Sequence, residues 1–353
     1  MTDYGIDWTS GMQRSYSLVS VDADAWTEGA ACSTAQDISI ELDDEGTRLS
    51  VSLDAGEALE GYWRVYMDVV QGGVAAHVPL ATFLVTERVP RTEGHRTVWG
   101  IEGHSCLWEL DVQYPDIGWT CSQEPVTACA KVVASHCRAP LASYAVPSSS
   151  SATQWTAEED ETWLDVLEAL LALAGMHVEV DAWGRVVFAA DVADVAAAAC
   201  AWTFGDAEGE ASVLLPDASA EPGESDIPNA VHVVLSTDDG YLESTVTDDD
   251  ASRATSTVRR GYAHVLRETS PDLDETATQA EVDAYAQDLL DSYTHATVPV
   301  TYTHAWVPGV AVGSVVGLDY PACGVTGRAL VTAQGIECTP ACLVEETAEC
   351  EPD

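Results

Sequence analysis

The residues best suited to chemistry in this chain are a few histidines, serines and cysteines set among 59 aspartates and glutamates. Gly103-His-Ser-Cys106 invites comparison with a nucleophile elbow, in which a strained strand-to-helix turn presents a serine. That motif, G-x-S-x-G, needs a second glycine where Leu107 stands. The segment therefore reads as the end of a strand. His104, Cys106, His136 and Cys137 are thiol and imidazole groups of the kind that bind zinc, but no C-x-x-C occurs and the spacing matches no standard ligand pattern. Cys338-Thr-Pro-Ala-Cys342 brackets a proline-containing turn. Its two thiols could stay a reduced pair or close a disulfide after release into an oxidising medium, with geometry deciding. A glycosidase pair can be drawn among so many acids anywhere, yet sequence proximity says nothing of the roughly 5–9 Å separation that chemistry needs. Neither a Walker-type nor a dinucleotide glycine motif is present. No catalytic, cofactor-binding or metal-binding residue is assigned, and the sequence predicts a protein that is not an enzyme and needs no cofactor.

Charge narrows the function classes further. Fourteen basic residues, with Lys131 the only lysine, stand against the 59 acids for a net charge of −45. Such a chain repels phosphate backbones and anionic membrane surfaces. Three readings of the acidity stand side by side: a salt-adapted or simply acidic proteome with solvated faces, disorder, and an acidic wall past which DNA slides without sticking. The regular apolar periodicity opposes disorder. The 46% hydrophobic fraction is that of a globular protein. No run of 18 apolar residues offers a membrane span. The first ten residues have neither a basic start nor an apolar stretch, so the sequence predicts no secretory signal and folding in the cytoplasm. In that compartment the ten cysteines are expected to be mostly unpaired.

At 353 residues the chain fits two or three domains. From Tyr16 to about Trp108 it reads as β. Leu49, Val51 and Leu53 alternate with Ser50 and Ser52, as in a half-buried strand. Residues 61–70 are rich in β-formers and end at Gln71-Gly-Gly73, a hairpin turn. Residues 79–85 and 97–103 add strands, and short strands with Gly-rich turns suggest a small barrel or sandwich. The middle changes period. Pro125 to Cys137 suits a short helix, and Pro147 with Ser148–Ser151 marks a loop. Thr156 and Glu159 read as a capping box for an amphipathic helix over 158–174, carrying Trp163, Val166, Leu167, Leu170 and Leu171 on one face and ending at Gly175. A hairpin around Trp183-Gly184 follows. Residues 221–228 read as a boundary loop. Strands are then predicted at 231–235 and 241–247, joined through Asp238-Asp239-Gly240. A second box, Thr278 and Glu281, opens a helix over 279–294 with Val282, Tyr285, Ala286, Leu289 and Leu290 inward. Strands at 297–303, 313–318 and 327–335 close the chain. The predicted class is mainly β with an α+β insertion: a first β-barrel domain at 1–115, an α+β domain at 116–225 and a second β-barrel domain at 226–353.

Several ordered blocks carry a family resemblance over roughly 300 residues. They are Arg14-Ser-Tyr16, Tyr62-Trp-Arg-Val-Tyr66, Pro79–Val85, Asp160-Glu-Thr-Trp-Leu164 to Gly175, and Asp181-Ala-Trp-Gly184. Further on come Ile227-Pro-Asn-Ala-Val231, Ser256-Thr-Val258, Arg260-Gly261, Thr301-Tyr-Thr-His304, Val312-Gly313, Cys338 and Cys342. With these the chain resembles the tail hub or baseplate hub proteins, also called minor tail proteins, of phages and prophages of Gram-positive bacteria. The resemblance implies two related β-barrels with a small α+β insertion, assembled as a homotrimer whose pseudo-sixfold ring docks on the tail tube. It implies a structural protein of the virion, at the tail tip, assembled in the host cytoplasm. The implied partners are distal tail and tube proteins, the tape-measure protein, tip fibre or spike proteins, and DNA passing through on ejection without specific binding. Many tail-tip proteins carry a C-terminal extension with lysin, fibre or receptor-binding domains. This sequence stops at Asp353, so those activities are expected elsewhere. Two alternatives of other classes are a tail-associated peptidoglycan hydrolase, which needs a catalytic constellation, and a carbohydrate-binding β module, which needs exposed aromatics along one sheet face.

Overall fold

The computed structural model describes residues 4–42, 49–122, 125–142, 155–205, 213–220, 227–237, 240–251, 253, 255–274, 276–294, 298–320 and 325–350. The expected loop at 147–151, most of the expected boundary loop at 221–228, and Asp238-Asp239 lie outside these residues. Among the described residues strand accounts for 48% and helix for 14%, which makes the protein mainly β.

The chain opens with seven strands: β1 (Gln13–Val21), β2 (Glu28–Cys32), β3 (Gln36–Leu42), β4 (Leu49–Ala55), β5 (Tyr62–Gln71), β6 (Val74–Glu93) and β7 (Arg96–His104). A mixed segment follows: α1 (Trp108–Asp111), β8 (Thr120–Cys121), α2 (Val126–Ala134), β9 (Trp155–Thr156), α3 (Trp163–Ala172), β10 (Met176–Val180) and β11 (Val186–Ala190). After these come β12 (Thr203–Gly205), β13 (Leu214–Ala220), β14 (Ala230–Thr237), β15 (Gly240–Thr247), α4 (Thr257–Arg260), β16 (Val265–Glu268) and α5 (Gln279–Thr294). The last strands are β17 (Val298–Ala305), β18 (Val315–Tyr320), β19 (Val325–Glu337) and β20 (Leu343–Cys350).

Packing groups the chain into two compact units, residues 1–218 with 301–348, and residues 219–300 with 349–353. In the first, the strands run in the order β13-β17-β20-β19-β3-β4-β7-β6-β5-β1-β2, with β18 on β19 and β12 on β18. The last strands thus share a sheet with the first ones, because β19 pairs antiparallel with β3, Ile336 opposite Ile40. The alternation expected for β4 is present: Leu49, Val51 and Leu53 are buried and Ser52 is exposed. The β5–β6 turn is Gly72-Gly73, with φ of 57° and 88° between Gln71 and Val74. Positive φ at both positions gives the twist that hairpin strands need, and glycine adopts it without a Cβ clash.

The mixed segment packs α2 and α3 over the β10–β11 hairpin. Val126, Cys129, Ala130 and Val133 of α2 meet Val166, Leu167, Leu170 and Leu171 of α3, with Val178 and Val186 beneath. The start of α3 differs from the sequence expectation. The helix begins at Trp163, and its cap is Thr162. Thr162 Oγ1 accepts the Asp165 N–H at 3.2 Å, and Asp165 Oδ2 accepts the Thr162 N–H at 2.7 Å. Thr156 cannot cap, because its backbone is committed to pairing with Thr120 in β8–β9. Of the two T-x-x-acid boxes, the one directly before the apolar run forms.

In the second unit β15, β14 and β16 form a three-stranded sheet. Val282, Ala286 and Leu290 of α5 cover Val231, Val233 and Leu235 of β14. The second box behaves as expected, with Glu281 accepting the Thr278 N–H at 2.7 Å. The helix cap of the first unit is directly testable. Thr162→Ala is expected to cost about 1 kcal/mol, the usual value of a lost N-cap, while Thr156→Ala and Glu159→Ala leave the melting temperature nearly unchanged in a thermal melt.

Candidate functional site

A polar cluster in the first unit surrounds Arg64, which is only 3% exposed. Its position on β5 turns the side chain toward the β10–β11 hairpin. Nε donates to Thr82 Oγ1 at 2.9 Å, one terminal nitrogen to Glu28 at 2.7 Å, and the other to the Trp183 carbonyl at 2.8 Å. The guanidinium also lies over the Trp183 ring, 4.9 Å from its centroid. Thr82 Oγ1 in turn donates a hydrogen bond to the Ala182 carbonyl at 2.9 Å, and the Trp26 indole donates to the Trp183 carbonyl at 2.9 Å. The Glu28 carboxyl is held below its usual range, mainly by the Tyr66 hydroxyl and also by Arg64, against the opposing effect of burial. Gly184, with φ of 74°, sits where a Cβ would meet Thr82 at 2.7 Å. Three sequence blocks, 62–66, 79–85 and 181–184, therefore converge on one buried cation.

The other blocks converge in the same way. Arg14 donates to the Ala341 carbonyl at 2.8 Å and Tyr16 to the Thr339 carbonyl at 2.6 Å, so β1 grips the turn between Cys338 and Cys342. Both thiols are free. Burial pushes both up, with Tyr16 and Arg14 partly offsetting this at Cys342. Tyr302 donates to Glu346 at 2.6 Å, and Gln334 donates to the same carboxylate at 2.7 Å. Burial, with Glu346 beside it, pushes the Tyr302 hydroxyl far up, so it stays a donor. His304 sends Nδ1 to the Ala305 carbonyl at 2.9 Å, and its Nε2 lies 3.3 Å from Glu346. In the second unit, Asn229 is fully buried. It donates to the carbonyls of Thr255 and Tyr262 and accepts the His264 N–H at 2.7 Å, which ties 227–231 to 255–264.

The residues singled out for chemistry occupy structural positions. Gly103 is glycine because a Cβ there would meet the Phe83 ring at 2.3 Å and the Leu84 carbonyl at 2.7 Å. Ser105 is buried, and its Oγ accepts the Leu107 N–H at 3.3 Å as the chain turns into α1. His104 stacks on Trp108 at 4.5 Å and His136 on Trp163 at 3.9 Å. The two imidazoles thus face separate indoles. Cys137 Sγ donates to the Cys106 carbonyl at 3.3 Å, and both thiols are buried. Among the described residues no group of three His, Cys, Asp or Glu is placed to hold a metal ion. None of their helices is long and apolar enough to cross a membrane.

A cleft of about 570 Å³ opens over the outer face of the sheet. His104 and Trp108 form one wall, and Glu41, Asp111 and Glu345 give it acidic edges. Sequence reasoning did not find it, since its lining is drawn from β3, β4, β7, α1, β19 and β20.

No protein-family model matches the chain. No curated protein matches it either. Its fold does match solved structures. The 43 kDa tail protein of prophage MuSo2 from Shewanella oneidensis is similar at TM-score 0.60 and 14% identity, over 96% of this chain and 98% of that one. A tail protein from Neisseria meningitidis MC58 is similar at TM-score 0.57 and 12% identity, over 96% of each chain. A chain of the half-lidded Francisella PdpA-VgrG complex is similar at TM-score 0.59 and 7% identity, over 97% of this chain and 58% of that one. The protein has the fold of these tail proteins.

Two outcomes test the polar framework. Arg64→Met removes one of two donors at the Trp183 carbonyl, which keeps Trp26, and one of two at the partly exposed Glu28 carboxylate, which keeps Tyr66, and is expected to cost about 1–3 kcal/mol. Arg64→Lys should recover little, because an ammonium cannot fork to three acceptors. Denaturant melts measure both. His177 lies 2.8 Å from Glu179 and 2.8 Å from Asp191. Its pKa is raised above 6.5, first by the Glu179 hydrogen bond and then by Asp191, while burial opposes. A raised folded pKa stabilises fully below the unfolded value, and that contribution fades as pH climbs through the folded one. Melting temperature should therefore fall from pH 6.5 upward, and His177→Gln should flatten that slope.

Proposed function

We propose that the chain is a structural subunit of a phage or prophage tail, the hub at the distal end of the tail tube, and that it does no catalysis. The observation that carries this reading is the likeness to the MuSo2 tail protein along almost the whole of both chains. The convergence of the sequence blocks on buried ties supports it, because such residues hold a shape and do not act on a substrate. In this reading segments 1–115 and 226–353 are two related β-barrel halves, with the α+β segment 116–225 inserted between them. Three copies give six such halves, matched to a sixfold tube. The hub joins the tube to the tip or baseplate, contacts the distal tail, tape-measure and fibre or spike proteins, and lets DNA pass.

The charge fits the passage. At −45 per chain the acidity exceeds what solubility needs, since a magnitude of about 2–8 suffices for a small domain. A like-charged wall raises the energy of adhering DNA. Screening confines the effect to about 8 Å at physiological salt, comparable with the clearance around a duplex in a narrow bore. Sedimentation or native mass measurement across a salt series, with and without the cognate tube protein, tests the assembly. A trimer is expected, and a monomer under every condition overturns the hub reading. Incubated with host cell walls, lysin-free protein is expected to release no soluble muropeptides; release would overturn the structural assignment.

A further inference from the structure

The β6–β7 hairpin extends beyond its sheet. β4 pairs with β7 only as far out as Ala55 opposite Trp99. Past that point β6 and β7 continue alone, Arg91 opposite Val98 and Glu93 opposite Arg96. A strand covered on one face alternates between buried and exposed. Here eight successive residues, Thr86 to Glu93, are all exposed, so both faces of β6 are open there, while Val98 and Trp99 of β7 are half-buried. Two strands on their own are marginal in water. This ribbon is braced from below, Arg91 reaching Asp54 and Glu93, and Arg88 reaching Glu60.

Its chemistry is opposite to that of the rest of the chain. Arg88, Arg91 and Arg96 are three of the fourteen basic residues in the whole sequence, set with His95 in ten positions that hold only two acids, Glu87 and Glu93. Val89, 52% exposed, shares a face with Arg91, Val98 and Arg96 by their register. Glu93 lies on that face too and pairs with Arg91, so its cationic end is Arg96 with His95 at the tip; beside the apolar Val89 and Val98 it suits a partner surface that is aromatic and acidic. The cleft edged by Glu41, Asp111 and Glu345 and walled by His104 and Trp108 has that character. It lies at the far end of β7: from Arg96 to His104 is eight residues, about 26 Å at the usual strand rise of about 3.3 Å. A braced ribbon cannot turn back on its own cleft over that distance.

We propose that the β6–β7 ribbon docks in the His104–Trp108 cleft of a second copy of this chain. The contact joins two different patches, so it is head-to-tail, and such a contact closes into a ring when the rotation between copies closes, as the hub reading requires. It also answers a physical need. Copies that each carry −45 repel one another, and a contact of opposite charge between neighbours offsets part of that repulsion. The proposal rests on the reading of the chain as a self-assembling hub subunit.

Charge exchange tests it. His95→Glu with Arg96→Glu reverses the ribbon, and Glu41→Arg with Glu345→Arg reverses the cleft edge. All four positions are exposed, and circular dichroism with a thermal melt checks that each variant folds. By native mass measurement, each double variant is expected to lose the oligomer seen in the wild type, and the quadruple variant to regain it. A photo-crosslinker at position 95 of the otherwise wild-type chain provides a second readout, expected to label the segments around residues 41–50, 104–111 or 333–347 of another copy. A wild-type oligomer that persists in both double variants, or crosslinks confined to other segments, overturns the docking while leaving the hub reading intact. A wild type that is monomeric at every salt and with tube protein overturns both.

Discussion

The fold depends on one desolvated cation. A guanidinium that is 3% exposed is tolerable only if its donors are met, because a buried unpaired charge costs several kcal/mol. Arg64 meets that demand with partners from β2, β6 and the loop between β10 and β11. These segments are far apart in sequence, and none is adjacent to another in the chain. The same side chain therefore sets where the hairpin lies on the first sheet. It also explains its neighbours: Thr82 is small and hydroxylic, and Gly184 leaves room for Thr82. Trp183 offers a carbonyl and a ring to one guanidinium.

Much of the local structure was legible because period and turn chemistry are local signals. The alternation at Leu49, Val51 and Leu53, the Gly72-Gly73 turn, the hairpin around Trp183-Gly184 and the α5 cap at Thr278 all stand where the pattern placed them. The start of α3 was misplaced, since two T-x-x-acid boxes lie six residues apart and only tertiary pairing of Thr156 with Thr120 decides between them. The pairing of β19 with β3 was beyond a local reading. It joins segments about 300 residues apart, and nothing in either strand names the other.

The polar residues show the same limit from the other side. Arg14, Tyr16, Arg64, Asn229, Tyr302 and His304 stood out as parts of ordered blocks, yet sequence alone gave them no role. In the structure Arg14, Tyr16, Arg64, Asn229 and Tyr302 each hydrogen-bond a carbonyl or carboxylate far along the chain, while His304 bonds its neighbour Ala305 and lies beside Glu346. Conversely His104, Ser105, Cys106, His136 and Cys137 have side chains capable of chemistry but are placed for packing and turn geometry. Residue type suggests reactivity, whereas burial and partners decide whether the group is free to react.

Scarcity of positive charge sharpens the argument. With 14 basic residues against 59 acids, any arginine on the surface would find a carboxylate, and surface pairs contribute little. This chain places its arginines where a cation does more. Arg138 clamps buried Glu109 through Nε at 2.6 Å, and Arg185 holds Asp181 at 2.7 Å beside the Trp183 turn. Arg260 and Arg328 donate to the carbonyls of Ile227 at 2.7 Å and Ala196 at 2.6 Å. Arg14 and Arg64 act in the same way. A fold so acidic is held by cations used as internal ties, and all of these but Arg185, whose Asp181 lies four residues away, join segments distant in the chain. The β6–β7 ribbon departs from that pattern at its tip: Arg88 and Arg91 pair with Glu60, Asp54 and Glu93, whereas Arg96 beside His95 stands outward on a surface where carboxylates dominate. A cation placed there serves an acidic surface beyond its own segment, and every copy of this chain supplies one.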